Sequence, residues 1–311
     1  MPAASGITVI ICTHSPRRDY LERTLRSLAE QTIGPAAFDL LLVDNASSKP
    51  VSSWCDLGWH PSARIVVEPE LGLAFARIRG IDETRSNLIV WVDDDNLLAP
   101  DYLEQVTALA RDWPMLGLWG CGHITPEWET PPPPELAPFL RYLAVGRAER
   151  DSWSNHPFDH LATPIGAGLC VRLPVAQSYA AAVRNDPVRR SLGRKGIELG
   201  GCEDIDLGLT AVNSGHGTGV FVRLRLTHLM PAGRIREEYL LRLVEGHSCS
   251  SLLLHHVHDN AAPVPRGLLA AIRRWRLHRS LGPVQRRIDD ARRRGESRAL
   301  LVIARLSPPS S

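Results

Sequence analysis

The chain has 311 residues, 44% hydrophobic and 23% charged, with a formal net charge of +2, figures ordinary for a soluble globular protein with one large core or one domain plus an appendage. No uninterrupted apolar window reaches the ~18 residues of a membrane helix, and Met1-Pro2-Ala3-Ala4-Ser5-Gly6 lacks a basic segment leading into an apolar one. Neither a membrane span nor a signal peptide is therefore expected. The six cysteines (Cys12, Cys55, Cys121, Cys170, Cys202, Cys249) form no C-x-x-C pair and suit free thiols in a cytoplasmic chain better than a disulfide framework.

Taken in order, residues 7–12 are a clean apolar strand that ends at Thr13-His14-Ser15-Pro16. Leu21, Leu25 and Leu28 recur at helical spacing, which predicts a helix over 20–31. A strand over 38–43 breaks at Asp44-Asn45-Ala46-Ser47, a third strand covers 64–67, a helix 72–83 and a further strand 88–92. This alternation predicts an α/β fold with a mainly parallel sheet flanked by helices. A helix follows over 100–111 and a strand over 116–124. Pro131–Pro134 and the polar, aromatic stretch 149–164 then form a long irregular excursion, which reads as a substrate-facing loop. A glycine-led strand is expected over 166–171, a helix with acids in its first turn from about 203, a strand over 220–224 and a helix over 236–244.

The stretch with the most chemistry is Leu88-Ile89-Val90-Trp91-Val92-Asp93-Asp94-Asp95. A buried strand runs straight into three carboxylates, where an open α/β sheet places its ligands. Packed anions repel each other and cost free energy when desolvated, and a divalent cation removes both problems. In extended backbone Asp93 and Asp95 point to one side and Asp94 to the scaffold. The bland alternative is an acidic surface turn. An EF-hand is excluded, because Leu97 and Leu98 stand where oxygen ligands and glycine are required.

A resemblance follows from the motifs in sequence. Val9-Ile10-Ile11-Cys12-Thr13-His14, Leu42-Val43-Asp44-Asn45-Ala46-Ser47, Gly72-Leu73-Ala74-Phe75-Ala76-Arg77, Val92-Asp93-Asp94-Asp95, Gly166-Ala167-Gly168, Glu203-Asp204 and His228 together resemble family 2 glycosyltransferases of the GT-A fold. The resemblance implies inverting transfer of a sugar from a nucleotide-sugar donor, a UDP-sugar first among them, to an acceptor hydroxyl on a glycan, a lipid-linked molecule or a small molecule. It implies that Thr13, Asp44, Arg77, Asp93, Asp94 and the Gly166-Ala167-Gly168 segment face the donor. Asp95 and His228 would hold Mn²⁺ or Mg²⁺, and Asp204 would be the general base with Glu203 as its support. Read by residue type, simpler roles also stand: an Asx turn for Asp44, a surface ion pair for Arg77, a satisfied structural His228, and first-turn helix acids for Glu203 and Asp204. The departure from the family's pattern at His14-Ser15-Pro16 bears on base selectivity.

Other readings carry less. A sugar-phosphate nucleotidyltransferase would need a glycine- and lysine/arginine-rich phosphate loop after the first strand, and Pro16-Arg17-Arg18 substitutes poorly. A silent nucleotide-sugar-binding protein would not need the full set Asp93, Asp95 and Asp204. His247, Cys249, His255, His256 and His258 are metal-capable but fit no common zinc spacing. The division expected is a GT-A domain over 1–260 and a basic helical region over 261–311. From Arg266 onward twelve arginines face only Asp289, Asp290 and Glu296, interleaved with Leu268, Leu269, Ile272, Trp275 and Leu277. Such a segment suits either an anionic membrane surface or packing back on the body. Nucleic acid is not expected, for no binding module accompanies the charge.

Overall fold

A computed structural model describes residues 6–196, 198–258 and 267–306. The N-terminal stretch read for a signal peptide and the expected boundary at 260/261 lie outside them. The first half alternates as expected: β1 (Ile7–Thr13), α1 (Arg18–Ala29), β2 (Asp39–Asn45), β3 (Arg64–Glu68), α2 (Leu73–Glu83) and β4 (Leu88–Val92). A short β5 (Asn96–Leu98), α3 (Tyr102–Asp112) and a long β6 (Leu116–Trp128) follow. The excursion is partly ordered into a 3₁₀ stretch at Pro134–Leu143, β7 (Gly146–Arg147) and β8 (Ser152–Ser154). Then come β9 (Leu169–Arg172), α4 (Leu173–Asn185), α5 (Pro187–Arg190), α6 (Glu203–Asn213) and β10 (Gly217–Met230). Three helices close the chain: α7 (Glu237–Val257), α8 (Leu268–Ser280) and α9 (Pro283–Leu306).

The main path of the sheet runs β3-β2-β1-β4-β9-β6-β10-β5. Its first four strands are parallel, and beyond β4 it is mixed, with β9 antiparallel to both β4 and β6. β1, β2 and β4 are buried on both faces, which is why they read as continuous apolar runs, while β3 at the edge is partly exposed. Alternate residues serve opposite cores. Val9, Ile11, Leu40, Leu42 and Val90 pack with Leu21, Leu28 and Val106 of α1 and α3, while Ile10, Leu41, Val43 and Ile89 pack with Ile78, Tyr179 and Leu207 of α2, α4 and α6.

α7 and α9 form a second structural unit against that sheet. Leu136, Phe139 and Leu143 of the excursion share a core with Met230, Leu240, Val244, Ile288 and Ala291. Cys202, Leu209, Cys249, Leu253 and Ala299 share another. Two glycines permit the close approach: a Cβ at Gly246 would stand 2.2 Å from the Leu199 carbonyl oxygen, and one at Gly295 2.2 Å from that of Glu245. α9 is thus bound into the body of the protein. α8 is not; none of its described side chains is buried.

Three sequence expectations change. Residues 166–168 form a turn before β9 and not the start of a strand, with Gly168 in the left-handed region at φ 68°. β10 extends to Met230, so His228 lies inside a strand and does not follow one. α4 was not expected, since Ala-rich Leu173–Asn185 carries a weak apolar stripe that only its packing on α2 and α6 reveals.

Candidate active site

β4 ends at Val92, and the three aspartates form the turn into β5, closed by the Asn96 N–H donating to the Asp93 carbonyl at 3.1 Å. The expected extended backbone is therefore absent. Turn geometry gives each acid its own neighbourhood. Asp94 accepts a short hydrogen bond from the Thr13 hydroxyl at the end of β1. Its carboxyl is pushed up to about 7, by burial first and then by the charge of Asp95. Asp93 is also raised, by burial and by Asp95.

Asp95 is buried at 4% exposure and is fixed from two sides. Its carbonyl accepts from the Leu229 N–H at 2.8 Å, and β5 pairs antiparallel with β10 so that Asn96 faces His228. That pairing brings the Asp95 Oδ1 within 3.4 Å of His228 Nε2. His228 Nδ1 lies 3.2 Å from the Ala144 carbonyl, to which it donates, so Nε2 carries a lone pair. Carboxylate and imidazole then converge as two electron-pair donors. The positive charge between them is Arg234: Nη2 is 2.8 Å from Asp95 Oδ2, and Nη1 donates to His228 Nε2 at 3.0 Å. Burial raises the Asp95 carboxyl, but the Arg234 guanidinium outweighs it and holds the group well below the usual carboxylate range.

These donors fit a divalent cation. Oxygen plus neutral imidazole is a donor set suited to Mn²⁺ and Mg²⁺, and the Nδ1–H to carbonyl bond is the orientation a ligating histidine uses. Arg234 contacts the same two donors. Among the described residues, the one group of three His, Cys, Asp or Glu side chains close enough to share an ion is His278 with Asp289 and Asp290, on α8 and α9, and Asp289 there is already engaged by Arg292 and Arg293.

The second acidic motif opens α6. Cys202, the residue before it, is held at φ 74°, a left-handed conformation costing a non-glycine residue about 1–3 kcal/mol, and it aims the first turn. Asp204 Oδ2 accepts from the Gly166 N–H at 2.9 Å and Oδ1 from the Ile205 N–H at 2.9 Å. Glu203 faces Arg77, with Oε1 3.9 Å from Nη2. Glu203 is raised by burial, which Arg77 only partly offsets. A Cβ at Gly166 would stand 3.4 Å from Arg77 Nη2 and 3.5 Å from Asp204 Oδ2, so three motifs distant in sequence meet here.

Other expected residues take different places. Arg77 is buried at 3% exposure, between Glu203 and the ring of Trp91, whose centroid is 5.2 Å away. Arg77, expected to face the donor, thus also contacts the second acidic motif. Asp44 is spent on its own turn, accepting from Ser47 N–H at 3.2 Å and Val51 N–H at 2.8 Å. It is buried at the end of β2 and holds that loop. Asn45 extends that loop: its Oδ1 accepts from the Gly72 N–H at 2.8 Å and sets the start of α2. Ala167 and Gly168 point into the core, where a Cβ at Gly168 would meet the Tyr102 hydroxyl at 2.7 Å. Of that segment only the Gly166 backbone reaches Asp204.

The histidine cluster disperses along α7. His247 Nδ1 is 3.8 Å from the Cys202 thiol, His255 stacks on Phe158 at 4.7 Å, and His258 binds buried Asp206 at 2.7 Å, with Arg189 3.3 Å from the same carboxylate. Two arginines went unnoticed in the sequence. Arg234 follows Pro231 in a turn that folds back on β10. Arg194 is exposed, and its carbonyl accepts from the Leu73 N–H at 3.0 Å, which sets it at the start of α2. Its charge acts on Asp93, Asp95 and Glu203 alike.

A sheet whose acid-bearing strand end faces a second acidic helix start is the architecture of GT-A glycosyltransferases. Two solved structures share the fold over nearly the whole chain. One is S. aureus TarS 1–349, with TM-score 0.51, 12% identity, and coverage of 94% of this chain and 91% of that one. The same protein has also been solved in complex with UDP-GlcNAc (TM-score 0.50, 13% identity, coverage 79% and 66%). The other is the mannosyltransferase PcManGT from Pyrobaculum calidifontis in complex with GDP-Man and Mn²⁺, with TM-score 0.52, 16% identity, and coverage of 96% and 88%. Residues 8–142 match the family model for glycosyl transferase family 2. A curated relative, the glucosyl-dolichyl phosphate glucuronosyltransferase of Haloferax volcanii, is 25% identical over 146 residues. The match spans 46% of each chain, so this chain covers about half the length of that relative.

Proposed function

We propose that this glycosyltransferase moves a sugar from a nucleoside-diphosphate donor, a UDP-sugar first, to an acceptor hydroxyl with inversion at the anomeric carbon. One observation carries the reading: buried Arg77 lies over Trp91 of β4 and also faces Glu203 at the start of α6, beside Gly166 and Asp204, so the two acidic motifs flank one arginine. The donor's diphosphate belongs at the β4 end, beside Thr13, Asp93 and Asp94. The exposed cation of Arg194 is suited to its charge. Asp95 and His228 would hold Mn²⁺ or Mg²⁺, which when bound neutralises charge developing on the leaving diphosphate. Arg234, seated on the same donors, must share them or move when that ion enters.

Asp204 is the general base of the reading. The acceptor oxygen attacks the anomeric carbon and gives its proton to the carboxylate as the bond to the diphosphate breaks on the opposite side. The Gly166 and Ile205 N–H groups fix the carboxylate's orientation, and Glu203 with Arg77 supports the turn beneath it. A base so placed contributes about 10²–10⁴-fold. The name of the curated relative, with its glucosyl-dolichyl phosphate, favours a lipid-linked acceptor among the glycan, lipid-linked and small-molecule classes. A cytoplasmic location accords with this donor chemistry.

The test is a thermal-shift screen of UDP-, GDP- and TDP-sugars with and without Mn²⁺, followed by donor hydrolysis. A true donor at 100 times its Kd stabilises by about 2.7 kcal/mol. If no nucleotide sugar raises Tm and none is hydrolysed, the reading fails. Stabilisation without hydrolysis or transfer would make the protein a silent binder.

A further inference from the structure

α8 differs from every other long helix of the protein. Leu268 (77% exposed), Leu269 (78%), Trp275 (57%), Leu277 (56%) and Ile272 (39%) all stand in solvent. A helix that buries none of its large apolar side chains has spent no hydrophobic free energy on the fold, and such patches mark interaction sites. Its charges are of one sign: Arg273, Arg276 and Arg279 are exposed, and no acidic residue lies between Leu268 and Ser280. Arg279 lies over the Trp275 ring, 4.9 Å from its centroid, so cation and aromatic surface are presented together.

We propose that α8 is a docking element for the surface of an anionic phospholipid bilayer, lying in its plane. Charge complementarity selects that occupant. Three guanidinium groups beside leucine, isoleucine and tryptophan match a surface that offers phosphates above hydrocarbon, and the arginines' long stems let the charges rise to the headgroups while the apolar residues enter. Thirteen residues make too short a helix to cross, and no helix of the described residues is long and apolar enough to do so. The anchor reaches the body through α9. His278 bonds Asp290 at 3.0 Å, the Arg286 side chain donates to the Arg279 carbonyl at 2.9 Å, and Arg287 and Arg294 of α9 bind Glu237 and Glu245 of α7. Docking therefore holds the α7–α9 unit, and with it the loop before α6, at a fixed attitude to the bilayer. The inference is independent of the catalytic reading.

Co-sedimentation of the full chain with phosphatidylglycerol–phosphatidylcholine vesicles, compared with phosphatidylcholine vesicles, tests it without any donor. The full chain should pellet with the anionic vesicles only and be released by high salt. Arg273→Gln/Arg276→Gln/Arg279→Gln should lower partitioning on the order of 100-fold, about fivefold per charge. Leu268→Ser/Leu269→Ser/Trp275→Ser should also lose binding, with an unchanged Tm because these side chains are exposed. Three outcomes would overturn the proposal: no binding of the full chain to anionic vesicles, wild-type binding by the serine variant, or a dimer in sedimentation that the serine variant converts to monomer. The last would assign the face to a second copy of this chain.

Discussion

At the end of β4, Asp94 and Asp95 are answered by side chains that arrive from elsewhere: Thr13 from β1, His228 from β10 and Arg234 from the turn beyond it. At the start of α6, Asp204 is answered by two backbone N–H groups, those of Gly166 and Ile205. Side-chain partners can leave and be replaced, and the site proposed to take up a diphosphate and a cation would need that freedom. Backbone partners cannot leave without unfolding a turn. The general base proposed at Asp204, which would meet one hydroxyl at one angle, is better served by them. Exchange is built into the first acidic motif and fixity into the second.

The comparison breaks most sharply at Asp204. Asp204→Asn keeps the shape but puts an NH2 against one of the two backbone N–H groups, so a modest fall in Tm is expected, while kcat should drop by about 10²–10⁴-fold and donor affinity hold. Glu203→Gln should lose less, since adjacent positions in a first turn point about 100° apart and Glu203 faces Arg77. A loss in Asp204→Asn that appears wholly as weaker donor binding would move the base elsewhere, and buried Asp206 is already committed to His258 and Arg189.

Next comes the exchangeable motif. Asp95→Ala should cut transfer by about 10²-fold or more and make nucleoside-diphosphate binding insensitive to Mn²⁺, with His228→Ala milder. Full activity of the wild type after EDTA treatment would sink the divalent-metal reading. Arg234→Met tests exchange directly by thermal denaturation. Removing one member of a buried ion pair costs about 3–5 kcal/mol, and Mn²⁺ should restore more stability to this variant than it adds to the wild type. An equal Mn²⁺ response in both proteins would mean that Arg234 and the cation do not compete.

The smallest expected effect belongs to Arg194, exposed beside the start of α2, whose charge acts on Asp93, Asp95 and Glu203. Arg194→Ala should raise donor KM by about tenfold with kcat and Tm nearly unchanged, because the side chain contributes charge to the ligand and no packing to the fold. A change in Tm comparable to that of Arg234→Met would instead make Arg194 part of the scaffold.

The sequence by itself determined the parallel half of the sheet and the two acidic motifs. Strands buried on both faces must be apolar throughout, and a helix start or strand end must interrupt that pattern with polar residues, so 7–12, 38–43 and 88–95 are legible one residue at a time. Only the tertiary structure decided which groups answer those acids. Asp95 meets His228 because β5 pairs with β10, and Arg234 reaches both because the chain turns at Pro231. Arg77 lies against Glu203 because α2 and α6 cover the same face of the sheet. The basic tail shows the same limit: its composition is uniform, yet α9 is buried against α7 and α8 stands clear. Local pattern records what a residue's own strand or helix requires. Long-range pairing sets its partner, and no window of sequence contains both sides of such a contact.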